Sequence, residues 1–152
     1  MIRIVCNAEE KRRITRLILE ALPEWFGIPE ARETYIAESA NEIMVASFKN
    51  DAPNGFLCLK ETGKDTVELA VMGVLPEYHR KGIGTKLFRV AKQIAVEKGC
   101  SFMQVKTVQM GHDAEYDRTN RFYLALGFKE FEVIPTLWDE RNPCQIYVMS
   151  LK

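Results

Sequence analysis

One segment constrains this chain more than any other: Val74-Leu75-Pro76-Glu77-Tyr78-His79-Arg80-Lys81-Gly82-Ile83-Gly84-Thr85-Lys86. A long β-like run over 66–75 ends at Pro76, a short basic turn with two glycines follows, and an amphipathic helix begins. The first N–H groups of a helix lack internal partners, and the helix dipole adds partial positive charge there. Gly82 and Gly84 remove side chains that would block a diphosphate from the first helical turn, Ile83-Gly84-Thr85. His79, Arg80, Lys81 and Lys86 add local positive charge. The spacing is neither Gly-x-x-x-x-Gly-Lys-Ser/Thr nor Gly-x-Gly-x-x-Gly, since Leu87 stands where the latter needs its third glycine. From these residues alone the turn is either a phosphate cradle or a tight connection with solvated charges.

That local charge matters because the chain as a whole has none. Its 152 residues carry 21 Lys plus Arg and 21 Asp plus Glu, so no general attraction to nucleic acid or a membrane surface is expected. The length suits one domain over 1–152 with a substantial core. Four cysteines, at 6, 58, 100 and 144, form no Cys-x-x-Cys pair and have no His at ligand spacing, so no metal is expected. Cys6 and Cys58 fall in apolar strand-like runs and read as small core residues. Without a secretory-type leader or a run of ~20 apolar residues, a cytoplasmic protein is expected.

The periodicities give the order β-α-α-β-β-β-α-β-α-β-β. A strand over 2–6 precedes a helix from Glu9 to Leu22, whose apolar face is Ile14, Leu17, Ile18, Ala21 and Leu22. A weaker helix spans 30–40. A strand over 41–48, a turn at 51–55 and a return strand over 56–60 form a hairpin. After the 66–75 strand, a helix covers 82–98 with Gly99 at its end. A strand over 102–107, a helix over 115–126 stopped by Gly127, and strands over 128–134 and 145–151 complete a mixed α+β sheet.

The residues His79-Arg80-Lys81-Gly82-Ile83-Gly84 resemble the Arg/Gln-x-x-Gly-x-Gly/Ala signature of the GNAT superfamily of acyl-CoA-dependent N-acyltransferases, with His79 departing at the first position. Phe122-Tyr123-Leu124-Ala125-Leu126-Gly127-Phe128 resembles the family's aromatic-Tyr-x-x-x-Gly-Phe segment. The resemblance implies a mixed, mostly antiparallel sheet of six to seven strands flanked by about four helices, splayed between its central parallel strands. It implies acetyl-CoA as co-substrate, its pantetheine arm lying along Met72, Gly73, Val74 and Leu75. Gly73 reads as the site of a bulge, and a backbone N–H near Met72 to Val74 would polarise the thioester carbonyl.

The resemblance further implies Tyr123 as the general acid on the departing thiolate. Glu68, fourteen residues before Gly82, matches a strand glutamate that is the base in some members; a water chain is the alternative. Simple alternation would place Glu68 on one face with Ala70, Met72 and Val74. The family often has an Asn seven residues before the tyrosine, where this chain has Tyr116; Asn120, one turn away, is the candidate substitute for holding pantetheine. The acceptor side is expected in two loops, 23–29 and 135–143, which hold both tryptophans, Trp25 and Trp138, with Glu24, Asp139 and Glu140. Aromatic walls with carboxylates suit a cationic amine, in a small molecule or a peptide. The leading expectation is an acetyltransferase acting on a primary amine, with a homodimer as a prior from the family; a non-catalytic acyl-CoA-binding module and a nucleotide-binding domain are the competing readings.

Overall fold

The computed structural model describes residues 1–152. The chain runs β1 (Ile2–Val5), α1 (Ala8–Glu20), α2 (Pro29–Ser39), β2 (Ile43–Lys49), β3 (Ala52–Glu61), β4 (Thr66–Val74), α3 (Ile83–Glu97), β5 (Phe102–Val108), α4 (Ala114–Leu126), β6 (Lys129–Asp139) and β7 (Asn142–Ser150), with a single 3-10 turn at Pro76–Tyr78 between β4 and α3. Seven strands form one sheet in the order β1-β2-β3-β4-β5-β7-β6. Every neighbouring pair is antiparallel except β4–β5. The expected mixed α+β sheet with four helices is the one observed.

Local chemistry explains most boundaries. Asn7 caps α1 by accepting from Glu10 N–H at 2.9 Å, and Asp113 caps α4 by accepting from the N–H groups of Glu115 and Tyr116. Gly127 ends α4 at φ 106°, a conformation that favours glycine. The buried face of α1 is Ile14, Thr15, Ile18 and Leu19. Leu17, expected on that face, is 45% exposed, because the stripe turns toward Leu19 and Leu22. Asn50 and Asp51 both take positive φ and close a two-residue hairpin. The turn is therefore tighter than the expected 51–55, and Pro53 and Asn54 belong to β3. Cys58 is buried as expected, whereas Cys6 lies just past the end of β1 and is exposed.

The sheet separates two apolar layers. One, with α3 and α4, is built around Leu57, Leu59, Val67, Leu69, Leu87 and Tyr123. The other, with α1 and α2, gathers Ile14, Ile18, Leu19, Met44, Phe56 and Val71. β4 crosses between these layers in mid-strand. On β3, Cys58 pairs with Val71 and its neighbour Leu59 pairs with Leu69, so Ala70 stands opposite no residue. This bulge inverts the alternation. Val67 and Leu69 face α3 before it, and Met72 and Val74 face α3 after it. Glu68, Val71 and Gly73 therefore share the opposite side. The expected face of Glu68, Ala70, Met72 and Val74 does not exist.

Gly73 is not the bulge residue. A Cβ there would meet Ile18 Cγ2 and Leu22 Cδ1, each at 2.9 Å. The glycine instead lets α1 approach β4 closely.

Candidate active site

β4 and β5 pair for only three residues: Thr66 with Phe102, Val67 with Met103 and Glu68 with Gln104. Beyond that point β4 follows β3 to Val74 and β5 follows β7 to Val108. The facing edges diverge and leave a splay with no strand in it. The bulge at Ala70 sits at the first residues of this divergence, consistent with the extra bend and twist a bulge imparts. Edge N–H and C=O groups seldom remain unpartnered inside a protein, so the splay is suited to an extended ligand that bonds like a strand.

The wide end of the splay opens onto the start of α3. Gly82 caps that helix at φ 79° and supplies no side-chain bond to its free amides. Nothing lies within 4 Å of a Cβ built on Gly82, so its requirement is conformational, not steric. Gly84 is different: its Cβ would stand 3.2 Å from Phe122 Cζ and 3.5 Å from Met72 Cε, which makes it the point where α3, α4 and β4 meet. Arg80, with φ 63°, completes the turn.

Splay and helix start belong to one cavity of about 1070 Å³. Met72, Gly73 and Val74 line it from β4. His79, Arg80 and the run Gly82 to Thr85 line it from the turn. Glu24, Trp25, Trp138 and Asp139 line it as well, and Tyr123 lines it from α4. Those residues, scattered over more than a hundred positions, are thus brought to a single space.

Five other sequence candidates are placed elsewhere. Leu75 N–H donates to Asn54 O at 2.9 Å, which ties it to β3. Lys81 and Lys86 lie on the other flank of the turn, around a smaller cavity of about 330 Å³ beside Met1 and Lys49. Lys81 Nζ sits 5.5 Å above the Tyr78 ring. Asn120 is fully buried and its amide is spent inside the protein. Its Nδ2 donates to Val108 O and Tyr116 O, and its Oδ1 accepts from Tyr147 Oη. Both Nδ2 protons are spent and the residue has no exposed surface, so Asn120 does not reach pantetheine as the expected substitute. Glu68, turned to the α1–α2 side by the bulge, accepts from Lys106 Nζ at 3.1 Å and is not part of the cavity wall.

Tyr123 is packed edge-on or tilted against Phe122, Phe128 and Tyr147. Burial pushes its phenol pKa up, reinforced by the phenols of Tyr35 and Tyr116. The group therefore stays protonated across the neutral range. Its hydroxyl makes no hydrogen bond to the protein, so it is free to donate to a ligand.

Around it the structure adds residues that the sequence did not single out as functional. Tyr116 Oη donates to Trp25 O at 2.7 Å, and Trp25 Nε1 donates to Thr119 Oγ1 at 3.1 Å. These bonds strap the α1–α2 connection to α4 across the cavity. The Trp25 ring meets the His79 ring edge-on at 6.0 Å. His79 Nε2 lies 2.6 Å from Val74 O. A carbonyl only accepts, so Nε2 carries the proton, and in the neutral ring Nδ1 is then an acceptor with no donor to offer a phosphate. Lys106, Arg118, Arg32 and Tyr35 also line the space. Periodicity places Tyr116 and Thr119 on the Tyr123 face of α4; nothing local marks Arg32 or Arg118.

A sequence model described as the acetyltransferase (GNAT) family matches residues 11–128. The chain belongs to the GNAT acetyltransferase family. No curated protein sequence matches it. Among solved structures, a GNAT-family member from Desulfovibrio desulfuricans superposes with a TM-score of 0.85 at 18% identity, covering 100% of this chain and 99% of that one. An aminoglycoside 6'-N-acetyltransferase complexed with coenzyme A gives 0.74 at 18% identity over 99% and 97%. The Salmonella typhimurium protein yncA, solved with its cofactor acetyl-CoA, gives 0.73 at 17% over 100% and 94%. The GNAT chain is thus an acetyltransferase, and its fold is one on which coenzyme A and acetyl-CoA have been seen bound. No helix is long and apolar enough to cross a membrane.

Proposed function

We propose that this GNAT enzyme moves an acetyl group from acetyl-CoA to a primary amine of a small molecule or peptide by direct attack. The observation that carries the reading is the splay after Glu68 and Gln104, which opens at one end onto the uncapped amides of α3 and has the unpartnered Tyr123 hydroxyl on its wall. Arg80 and the amides from Gly82 to Thr85 hold the diphosphate. The unpaired edge of β4 holds the pantetheine arm as an added strand.

Acetyl-CoA supplies the acyl group as a thioester. Amide donors on the β4 edge near Met72 to Val74 face the carbonyl oxygen and favour the charge that develops there. The amine nitrogen forms the new C–N bond as the C–S bond breaks. Tyr123 gives its proton to the departing sulfur, and the proton lost by the amine passes to water. The Glu68–Lys106 pair favours that water route over direct proton removal by Glu68.

Calorimetric titration with acetyl-CoA, CoA, ATP and NAD tests the cofactor half. Binding of the two CoA species alone is expected; equal heats from ATP or NAD would refute it. Free-thiol release across a panel of primary amines tests the transfer half, and acetyl-CoA binding with no amine-dependent thiol release would refute it.

A further inference from the structure

We infer that Arg32 is a carboxylate anchor, so that the acceptor is an amino carboxylate, a small molecule bearing both a primary amine and a carboxylate. The inference rests on the acetyl-transfer reading and narrows it.

Arg32 lies in the first turns of α2 and lines the cavity with Ile28, Ala31 and Tyr35. Its Nη1 donates to Phe26 O at 3.2 Å. That bond fixes the guanidinium on the α1–α2 connection, and Arg32 has no carboxylate partner. Its Nε is shielded from solvent and has no hydrogen-bond partner. Buried donors are normally satisfied, and an orphan calls for an explanation. With Nη1 occupied, the edge carrying Nε and Nη2 is the pair of parallel donors that grips a carboxylate at two points.

The carboxylates around the cavity do not compete for it. Asp139 is held in its own turn, accepting from Arg141 N–H, Asn142 N–H and Asn142 Nδ2, and these bonds keep its pKa below the ordinary value. Asp113 is committed as the cap of α4. Glu24 is exposed. Lys106, across the space on β5, adds a second cation, already balanced by Glu68. The interior acceptor end therefore carries an unsatisfied cation and no free buried anion. The expectation that Glu24 and Asp139 suit the site to a cationic amine is thereby narrowed to an amine that also carries a carboxylate. Tyr35, three residues on and on the same helix face, lines the same cavity as Arg32, Tyr116 and Tyr123, so the anchor and the reacting end share one space.

The test is thiol release at saturating acetyl-CoA with the twenty L-amino acids, β-alanine and γ-aminobutyrate, each against its own carboxamide. For at least one pair the wild-type kcat/KM is expected to favour the carboxylate, and Arg32→Gln to lower the carboxylate-to-carboxamide ratio by roughly 10- to 100-fold, chiefly through KM, as loss of a charge-assisted bidentate contact should. Arg32→Lys, which keeps the cation without the paired donors, should fall between. Both variants are checked by thermal unfolding, and the ratio is insensitive to a loop that has merely loosened, because that would raise both KM values together. Carboxamides used as well as carboxylates by the wild type, or an unchanged ratio in both variants, overturns the anchor while leaving acetyl transfer intact. Acetyl-CoA binding with no amine of either kind acetylated overturns the transfer reading and the anchor with it.

Discussion

Gly73→Ala puts one methyl group against the contact that joins α1 to the wall of the splay. The added Cβ would lie 2.9 Å from Ile18 Cγ2 and from Leu22 Cδ1, closer than real Cβ contacts allow, while Phe56 Cε1 at 3.5 Å is in ordinary contact. Ile18 and Leu22 are buried at 0% and 3% exposure, so neither can swing into solvent. Overpacking of this kind costs about 1–3 kcal/mol. Gly73 has no positive φ, so alanine fits the backbone and returns about 0.5–1 kcal/mol through a stiffer unfolded chain. The net expectation is a loss of about 1–2 kcal/mol, or about 3–6 °C in Tm for a chain this size.

Urea unfolding at fixed pH reads the loss as a lower midpoint at constant slope. The second arm is Ile18→Ala, expected to cost about 2–5 kcal/mol alone but markedly less in the Gly73→Ala background, where the new methyl partly fills the space it leaves. Strict additivity, or a Gly73→Ala protein as stable as the wild type, would refute the close approach of α1. Acetyl-CoA affinity should fall in the single variant and partly return in the double, because the residue pushed by α1 sits between Met72 and Val74 on the cavity wall.

Other outcomes follow from the same geometry. Tyr123→Phe should lower kcat at least about tenfold with CoA affinity unchanged, as for loss of a general acid; stability should stay within about 0.5 kcal/mol, since the hydroxyl bonds to no protein group, and an unchanged kcat would remove Tyr123 from the mechanism. Gly82→Ala should cost about 1–2 kcal/mol through its left-handed φ alone and should weaken acetyl-CoA binding in calorimetry, whereas an unaltered affinity would argue against the turn as the diphosphate site. Glu42, 7% exposed, has its carboxyl raised from an ordinary 4.5 to about 7 by burial, with Glu38 and Glu68 adding to the shift. A raised carboxyl favours the fold below the unfolded value and loses that advantage as pH rises through the folded one, here a decline of roughly 3 kcal/mol between pH 4 and pH 8. Urea midpoints at those two pH values should converge for Glu42→Gln, and a wild-type slope retained by the variant would refute the assignment.

The parts of this molecule legible in the sequence are those set by local chemistry. Apolar stripes, Gly127 and the strand–turn–helix at Pro76–Gly82 each act over a few residues and specify their element almost alone. The signals that misled are equally local. Pro53 and Asn54 look like turn residues, yet Asn50 and Asp51 take the positive φ values and close the hairpin first. The segment 135–143, with a proline at either end, looks like a loop but continues β6 and begins β7, with only a tight turn held by Asp139 between them. Lys81 and Lys86 read as phosphate ligands from proximity in sequence, but the direction in which each side chain leaves the turn sends both to the far flank. Arg32 could not be found at all, because its significance is the absence of a partner, and a pattern of residue types does not encode who remains unpaired in three dimensions.

The bulge at Ala70 shows why a site can be recognised before its residues can be assigned. An uninterrupted β4 would keep Glu68, Met72 and Val74 on one face, and a carboxylate would stand in line with the acyl end of the splay. One extra residue inverts the register, places Glu68 on the α1–α2 side against Lys106, and leaves Met72 and Val74 toward α3. No residue type in Leu69-Ala70-Val71 signals this, since alanine is neither a usual bulge residue nor excluded from one. The inversion follows from tertiary packing: Val67 and Leu69 fit beneath α3 while Gly73 must meet α1, and their even spacing cannot satisfy both with a regular strand. Deleting Ala70 would therefore make the spacing from Leu69 to Gly73 odd, so a regular strand would keep Val67 and Leu69 toward α3 and Gly73 toward α1. The deletion should leave the chain folded and cost acetyl-CoA affinity only through the lost bend at the splay, and a chain that no longer folds would refute the bulge as the source of the inversion.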